Sequence, residues 1–365
     1  MKGRLMSFAI KKITNEFDEH IQTTLDGKTK PLGALGQLEN TAKIIARVQY
    51  SSLNSVSSSL KLNKPSLLIF AGDHGVAAEG VSIAPSDVTS QMVANFATGG
   101  AAINVFCKQL GWQLSVVDTG ILSPPESYLG VIDQRLGTIT EPLNVSPAMS
   151  EAQVELGFEK ATTLIKKMHK SGCNLIAFGE MGIGNTTSAS AIMSAVMNIT
   201  AQESVGRGTG VSDEVIKRKQ QVIEQALTLH KDELNNAKDI LRCLGGFEIV
   251  QITAAMLAAA EQKMLVVVDG FICTAAAMLA IALNKNVKDY MIFAHCSGEQ
   301  GHQSMLDYLQ VKPLLNLGLR LGEGTGAALA LPLIQASAAF YNDMASFAQA
   351  EVTDVTDIKT SGVDH

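Results

Sequence analysis

The chain has 365 residues, of which 46% are hydrophobic, 18% are charged and only 5% are aromatic, and its formal net charge is -6. A chain of this length buries a large core, so the composition is that of a globular protein with one or two domains. The negative charge argues against a nucleic-acid partner, because phosphate binding needs a clustered basic surface and the few basic clusters are typical of solvated helix faces.

Helical spacing marks the amino-terminal part of the chain. Apolar residues between 8 and 25 recur at helical intervals and end at Asp26-Gly27, which predicts an amphipathic helix followed by a turn. A second helix is predicted after Gly33, and the serine-rich stretch 51–65 predicts a loop or a weak helix.

Five short apolar segments follow, separated by helical patterns, which is the signature of parallel strands buried on both faces of a sheet. The segments are SLLIFAGD (66–73), LSVVDTG (114–120), NLIAFGE (174–180), MLVVVDG (264–270) and YMIFAHCS (290–297). The carboxyl ends of such strands meet at one edge, where ligands bind in open α/β sheets. That edge is expected to collect Asp73, Asp118, Glu180, Asp269 and Ser297.

The carboxyl-terminal part is again helical, since apolar residues from 327 to about 350 recur at helical spacing and Pro332 is tolerated near the first turns. Both chain ends are then helical while the middle is α/β. We therefore predict a Rossmann-like parallel sheet flanked by helices in a large domain, residues 34–327. A small helical domain is predicted from residues 1–33 and 328–365.

Localisation follows from three features. The first twenty residues are polar where a signal peptide would be apolar, so secretion is not expected. The longest apolar stretch, residues 271–283, is shorter than the about 20 residues that span a bilayer, and it is typical of a core helix. The five cysteines lack the close pairs of zinc sites. A cytoplasmic protein with reduced thiols, no membrane span and no metal is predicted.

Two glycine-rich loops suit a phosphate group. GEMGIGNTTSASA (179–191) follows a strand and enters a helix, so backbone N–H groups and the positive helix end favour a phosphate monoester. VGRGTG (205–210) precedes a helix that carries Lys219, which offers more amides and a cation. Either loop alone also fits an ordinary turn, but the pair favours a phosphate-containing ligand.

Two other motifs are less specific. AGDHGVAAEGVS contains Asp73, His74 and Glu79, but a hydrogen-bonded turn explains them as well as a metal or acid–base site does. MLVVVDGFICT is similar to the donor loop of magnesium- and diphosphate-dependent phosphoribosyltransferases. Those enzymes carry two adjacent acidic residues there, whereas here Gly270 follows Asp269.

One carboxylate, Glu323, lies between glycines in GEGTGAA just before an alanine-rich helix, and no basic residue directly follows it. The strand, helix and later acidic residue of a dinucleotide-binding fingerprint are missing, which argues against NAD. Viewed in isolation, Glu323 also fits a helix cap.

The chain contains, in order, TKPLGALGQLE, AGDHGVAAEGVS, TGGAAINVF, GEMGIGNTT, VGRGTG, LGGFEI, VVVDGFICTAAA, AHCSGEQGH and LRLGEGTGAA. Together these segments closely resemble the nicotinate-nucleotide:dimethylbenzimidazole phosphoribosyltransferase family over about residues 29–337. Their shared order makes the resemblance far more specific than any one loop.

The resemblance implies a reaction and a site. It implies transfer of the 5-phosphoribosyl group of nicotinate mononucleotide to 5,6-dimethylbenzimidazole, giving α-ribazole 5′-phosphate and nicotinate with inversion at C1′, in cobalamin nucleotide-loop assembly. It also implies a homodimer that needs no cofactor, with Glu323 as the general base. The implied substrate-binding residues are Glu180, Gly182, Gly208, Lys219, Ser297 and Gln91.

The chemistry fits these residue types. Departure of nicotinate neutralises a cationic ring nitrogen, so neither a protonating acid nor a magnesium clamp is required. The acceptor must lose a proton from one imidazole nitrogen while the other attacks C1′, and an unpaired carboxylate can take that proton. Two alternatives stay open at this point: a metal-dependent transferase that uses a diphosphate donor, and a non-catalytic nucleotide-binding protein. The physiological base is open as well.

Overall fold

The protein is described by a computed structural model, which covers residues 6–124, 130–205 and 212–353. Its strands are β1 (Ser66–Gly72), β2 (Gln113–Gly120), β3 (Val131–Asp133), β4 (Leu175–Met181), β5 (Leu265–Val268) and β6 (Met291–Phe293). They form one sheet in the order β3-β2-β1-β4-β5-β6, and every neighbouring pair is parallel. This is the doubly wound order, whose direction switches between β1 and β4.

All five predicted strands are confirmed. The prediction missed β3, because a three-residue strand at the sheet edge leaves too short an apolar run to be recognised. In β1 every residue is buried, which explains why its sequence is continuously apolar rather than alternating. The α/β architecture with a parallel sheet is therefore confirmed.

Helices flank this sheet, and α10 packs against α5 while also contacting β1, β2, β4 and β5. The helices are α1 (Asp18–Asp26), α2 (Gln37–Leu53), α3 (Asp87–Thr98), α4 (Ala102–Leu110), α5 (Glu151–Lys170), α6 (Asn185–Met197), α7 (Ala201–Ser204), α8 (Asp213–Leu229), α9 (Ala237–Leu244), α10 (Phe247–Glu261), α11 (Phe271–Leu283), α12 (Gln300–Tyr308), α13 (Thr325–Asp343) and α14 (Phe347–Ala350). The predicted core helix at 271–283 is confirmed as α11. Across the described ranges, no helix has the length and apolar character needed to cross a membrane.

Backbone contacts divide the chain into two compact units. The first comprises Met1–Lys11 with Asn63–Ala330, and the second comprises Lys12–Leu62 with Leu331–His365. Within the second unit the amino- and carboxyl-terminal helices meet, since the hydroxyl groups of Tyr50 on α2 and Tyr341 on α13 lie 3.2 Å apart. The predicted domain boundaries, after residues 33 and 327, stay a prediction.

The predicted first helix was wrong over its first half, because α1 begins only at Asp18. The segment before it is held by side chains from elsewhere in the first unit. Asn284 donates its Nδ2–H to the carbonyl oxygen of Phe8 at 3.1 Å, and Asn286 donates to that of Ile10 at 3.0 Å. The apolar spacing thus reflects burial of an irregular segment, and tertiary contacts override the local pattern.

Candidate active site

A cleft with a volume of about 370 Å³ lies at the carboxyl edge of the sheet. Its lining comes from the ends of β4, β5 and β6 and from the segment that precedes α13. Four residues singled out from the sequence, Glu180, Gly182, Ser297 and Glu323, line it together. Residues more than 140 positions apart in the chain thus share one cleft because parallel strands end at one edge.

The other three predicted site residues lie elsewhere or outside the described ranges. Lys219, on α8, is linked to the cleft by a 2.9 Å hydrogen bond from its Nζ to Oγ1 of Thr186, which is a lining residue. Gln91 is exposed on α3 and is absent from the lining, whereas its neighbour Met92 is part of it. Gly208 lies outside the described residues.

Glu323 lies in an unusual backbone conformation. Its φ is 63°, and the flanking Gly322 and Gly324 have φ values of 81° and 83°. A left-handed conformation is rare for a glutamate and costs of order 1 kcal/mol, and such strain clusters at functional sites. The two glycines lack a Cβ and adopt these angles without strain. The backbone strain of the turn therefore falls on Glu323, the residue that carries the carboxylate.

The carboxyl group of Glu323 is buried in the lining of the cleft. The residue is 5% exposed, and its Oε2 has no hydrogen-bond partner among the described residues. Burial, followed by the negative charge of Asp269, raises the pKa of Glu323 to about 7. A group with this pKa is a usable base near neutral pH, where a cation-paired carboxylate would be too weak a base.

Glu180, at the end of β4, is a second buried carboxyl group in the cleft. Asn185 donates its Nδ2–H to Oε2 of Glu180, and the backbone N–H of Glu323 also donates to this carboxyl group. Burial, followed by the charges of Asp269 and Glu248, raises the pKa of Glu180 to about 8. The raised pKa of Glu180 favours its neutral form and so limits the negative charge beside Glu323.

Asp269 joins the end of β5 to the turn that carries Glu323. Its Oδ1 accepts the N–H of Ala327 at 2.7 Å, and the N–H groups of Gly270 and Gly324 also donate to the carboxylate. The Nε2 of His295 lies 3.8 Å from the same Oδ1. Asp269 thus fixes the glycine-flanked turn through the backbone N–H groups of Gly324 and Ala327. Burial raises the pKa of Asp269.

Ser297 is held in the cleft by a buried histidine. Its backbone N–H donates to Nδ1 of His302 at 2.8 Å, and Nε2 of that ring lies 2.8 Å from Oγ1 of Thr274. Burial, followed by the charge of His295, lowers the pKa of His302 to about 3. The ring is therefore neutral, accepts at Nδ1 and donates from Nε2, so it pins the loop after β6 to α11.

Two of the five predicted edge residues do not reach the cleft lining. Asp118 accepts hydrogen bonds from Nη1 of Arg135 at 2.8 Å and from the N–H of Gly120 at 2.8 Å. Asp73 accepts a 2.6 Å hydrogen bond from Oγ1 of Thr89. These aspartates organise the loops after β2 and β1.

The sequence analysis missed several lining residues. His295 and Asn185 belong to recognised segments, AHCSGEQGH and GEMGIGNTT, but no spacing rule separates them from their neighbours there. Arg320, three residues before Glu323, also lines the cleft. The sequence signal that could have indicated these three residues is their position, at or just after the end of a predicted strand or just before α13.

A separate group of metal-binding residue types lies outside the cleft lining. Within the described ranges, His230, Glu233 and Cys243 bring potential ligand atoms within 4.8 Å of one another. Arg242 forms an ion pair with Glu233, and burial raises the pKa of Cys243 to about 11. A paired carboxylate and a protonated thiol are poor ligands, so this cluster is explained by its own contacts.

Comparisons with known proteins agree with this architecture. A family model described as Phosphoribosyltransferase matches residues 10–352. A nicotinate-nucleotide–dimethylbenzimidazole phosphoribosyltransferase of Shewanella sp. (strain MR-7) is 60% identical over 352 residues, which are 96% of this chain and 99% of that relative. The one from Shewanella oneidensis is also 60% identical over 352 residues, with the same coverage of 96% and 99%.

The crystal structure of CobT from Thermus thermophilus superposes with a TM-score of 0.86 at 37% identity, covering 93% of this chain and 99% of that chain. The fold and the cleft thus define a phosphoribosyltransferase. More narrowly, the chain belongs to the nicotinate-nucleotide–dimethylbenzimidazole phosphoribosyltransferase family.

Proposed function

We propose that this enzyme transfers the 5-phosphoribosyl group of nicotinate mononucleotide to 5,6-dimethylbenzimidazole, with inversion at C1′, in cobalamin nucleotide-loop assembly. The observation that carries the proposal is the buried carboxyl group of Glu323, whose Oε2 has no hydrogen-bond partner in the described ranges, in the cleft of a chain with 60% identity to relatives of that name. The products are nicotinate and α-ribazole 5′-phosphate.

Glu323 is the general base in this reaction. It accepts the proton from one imidazole nitrogen while the other nitrogen bonds to C1′ and the C1′–nicotinate bond breaks. The bonding electrons neutralise the pyridinium nitrogen of the donor, so nicotinate leaves without a protonating acid. Glu323, with a pKa of about 7, is matched to proton transfer at neutral pH.

The remaining roles divide the cleft between donor and acceptor. Glu180, Gly182, Ser297 and Lys219 bind the nucleotide, and the ammonium group of Lys219 reaches the phosphate from α8. The family resemblance also assigns Gly208 to the phosphate of the donor and Gln91 to the base. Flanking glycines at Glu323 leave room for a flat aromatic acceptor.

We propose further that the enzyme is a cytoplasmic homodimer. The family resemblance supports a homodimer, in which the terminal helices of each chain form a small domain. Cysteines in the described ranges are free and buried, which supports a reducing, cytoplasmic setting.

A chromatographic assay tests the function directly. The protein is mixed with nicotinate mononucleotide and 5,6-dimethylbenzimidazole in the presence of a chelator and without added metal. Free nicotinate and an α-linked ribazole phosphate are expected in equal amounts. Turnover that requires magnesium and a diphosphate donor would favour the metal-dependent transferase, and tight nucleotide binding without nicotinate release would favour a non-catalytic binding protein.

Replacing Lys219 by Ala should weaken donor binding. Burial lowers the pKa of Lys219 and the nearby Glu299 raises it, and its Nζ already contacts Thr186 at the start of α6. Loss of a charge-assisted contact is worth about 1.5–3 kcal/mol, so the KM for nicotinate mononucleotide should rise by about tenfold or more. The KM for the base should stay the same, and an unchanged donor KM would remove Lys219 from the phosphate site.

The pH dependence of kcat/KM should report Glu323. Its ionised form is the active one and its pKa is about 7, so activity should be present above pH 7 and fall about tenfold per unit below it. The carboxyl groups of Glu180 and Asp269 and the ring of His295 face the same part of the cleft. Steady-state rates from pH 5.5 to 9 check this. A flat profile would contradict an essential base with this pKa, and an acid limb that persists after Glu323→Gln would assign the limb to another group.

A further inference from the structure

Asp73 and His74, which follow β1, have no role in the chemistry described so far. Both nevertheless support the glycine-rich loop after β4, Asp73 through Thr89 and His74 by direct packing. The Oγ1 of Thr89, on α3, donates to Oδ1 of Asp73 at 2.6 Å. The backbone N–H of Ile183 donates to the same Oγ1 at 3.1 Å. Ile183 lies in the loop and lines the cleft.

The donors and acceptors in the hydrogen bonds that join Ile183, Thr89 and Asp73 are fixed. The N–H of Ile183 can only donate, so the hydroxyl oxygen of Thr89 must accept from it. The single proton of that hydroxyl then points at Oδ1 of Asp73. The other oxygen of Asp73, Oδ2, is occupied by the N–H of Leu122 at 2.8 Å. Thr89 is fully buried and Asp73 is 1% exposed, so water does not compete for these contacts.

The loop has little freedom to move against this support. A Cβ added to Gly182 would lie 2.1 Å from the carbonyl oxygen of Gly72, at the end of β1. A Cβ added to Gly184 would lie 3.2 Å from the Cβ of His74. His74 is itself fixed, because its Nε2 lies 2.7 Å from Oε1 of the buried Glu248. The loop therefore rests on the backbone and side chains that follow β1.

We propose that Thr89, oriented by Asp73, is a positioning residue that sets the conformation of the loop Met181–Asn185 and thereby the affinity for the nucleotide donor. This inference rests on the proposed function, since it takes that loop as part of the donor site. Thr89 acts through the amide of Ile183, which its hydroxyl holds, so the other amides and the start of α6 are aligned before the donor binds.

Two substitutions at one position separate this role from bulk packing. Thr89→Val keeps the size and shape of the side chain but removes the hydroxyl, whereas Thr89→Ser keeps the hydroxyl. Thr253→Val is the matched control, because Thr253 is equally buried on α10 and its Oγ1 bonds to the carbonyl oxygen of Ile249 at 2.8 Å, away from the cleft lining. All three variants are compared with the wild type.

The first measurement needs no substrate. Amide hydrogen exchange in the free protein should show faster exchange at Ile183 in Thr89→Val, by about tenfold, with Thr89→Ser close to the wild type. The second measurement is steady-state kinetics. Thr89→Val should raise the KM for nicotinate mononucleotide by about tenfold and leave the KM for the base unchanged, with rescue by Thr89→Ser.

The outcomes are distinguishable. Unchanged exchange at Ile183 in Thr89→Val overturns the positioning role, as does an equal rise of both KM values or the same kinetic change in Thr253→Val. If the wild type does not turn over nicotinate mononucleotide, the proposed function fails. The exchange result then still decides whether Thr89 holds the loop, while the assignment of the loop to that donor is overturned.

Discussion

Glu323→Gln should lose most of its turnover while it still binds both substrates. The amide is nearly the same size as the carboxylate but cannot accept the acceptor proton, and general-base assistance is typically worth about 10²- to 10⁴-fold in rate. We expect kcat to fall by that factor at pH 8, where the wild-type carboxylate is ionised. Single-turnover rates measured with saturating substrates, together with dissociation constants for donor and base, check this expectation.

The control for this experiment is Glu261→Gln. Glu261 ends α10 and accepts the N–H of Ala9 at 2.8 Å, away from the cleft lining, so the same change of chemistry should leave kcat unaltered. If Glu323→Gln retained turnover within about threefold of the wild type, Glu323 would be reduced to a structural residue at the start of α13.

Gly179→Ala should have the second largest effect. A Cβ at this position in β4 would lie 2.4 Å from the carbonyl oxygen of Glu323 and 2.5 Å from its carbonyl carbon. Backbone atoms cannot yield as a flexible side chain does, so the turn that carries the base must shift. A displacement of about 1 Å at a reacting group can cost about 10²-fold in rate, and overpacking typically costs about 1–3 kcal/mol of stability.

Rates and urea unfolding of Gly179→Ala are therefore measured side by side. Gly298→Ala serves as the control for unfolding alone, because a Cβ there meets no atom closer than 3.4 Å, the distance to the carbonyl oxygen of Gly318, but its neighbours Ser297 and Glu299 line the cleft. A variant at position 179 that unfolds at the wild-type urea concentration and keeps its kcat would show that the strand and the turn are less tightly packed than these distances require.

Much of the central fold was predictable, and the reason lies in the sheet. A parallel sheet covered on both faces turns each strand into a continuous apolar run, and β1, β2, β4, β5 and β6 were each found this way. Apolar spacing was misleading in the amino-terminal segment, where buried residues recur at helical intervals without forming a helix. The segment around Phe8 has helical spacing, yet side chains such as Asn284 bind its carbonyl oxygens and hold it in another conformation.

The candidate site was predictable only where chemistry coincides with a strand end. Glu180 and Ser297 could be placed at the carboxyl edge by topology, and Glu323 was singled out by its glycines. Its raised pKa comes first from burial and then from the charge of Asp269, which is 54 positions earlier in the chain, and no local pattern reports these surroundings. Gln91 was selected by the family resemblance alone, and its side chain is exposed outside the cleft lining.

Thr89 marks the limit of sequence reasoning. Nothing in the segment SIAPSDVTSQMV distinguishes its hydroxyl from those of nearby serines. Its significance appears only when α3, β1 and the loop after β4 are brought together, so that one buried hydroxyl joins Asp73 to the N–H of Ile183. Residues that act through others leave no chemical signature of their own in the chain.

A crystal structure of the enzyme soaked with 5,6-dimethylbenzimidazole gives the most direct test of the mechanism. We expect one imidazole nitrogen of the bound base to lie within about 3.2 Å of a carboxylate oxygen of Glu323, with the other nitrogen facing the side of the cleft formed by Gly182 and Ser297. A base that binds in the cleft with both ring nitrogens directed away from Glu323 would contradict the account.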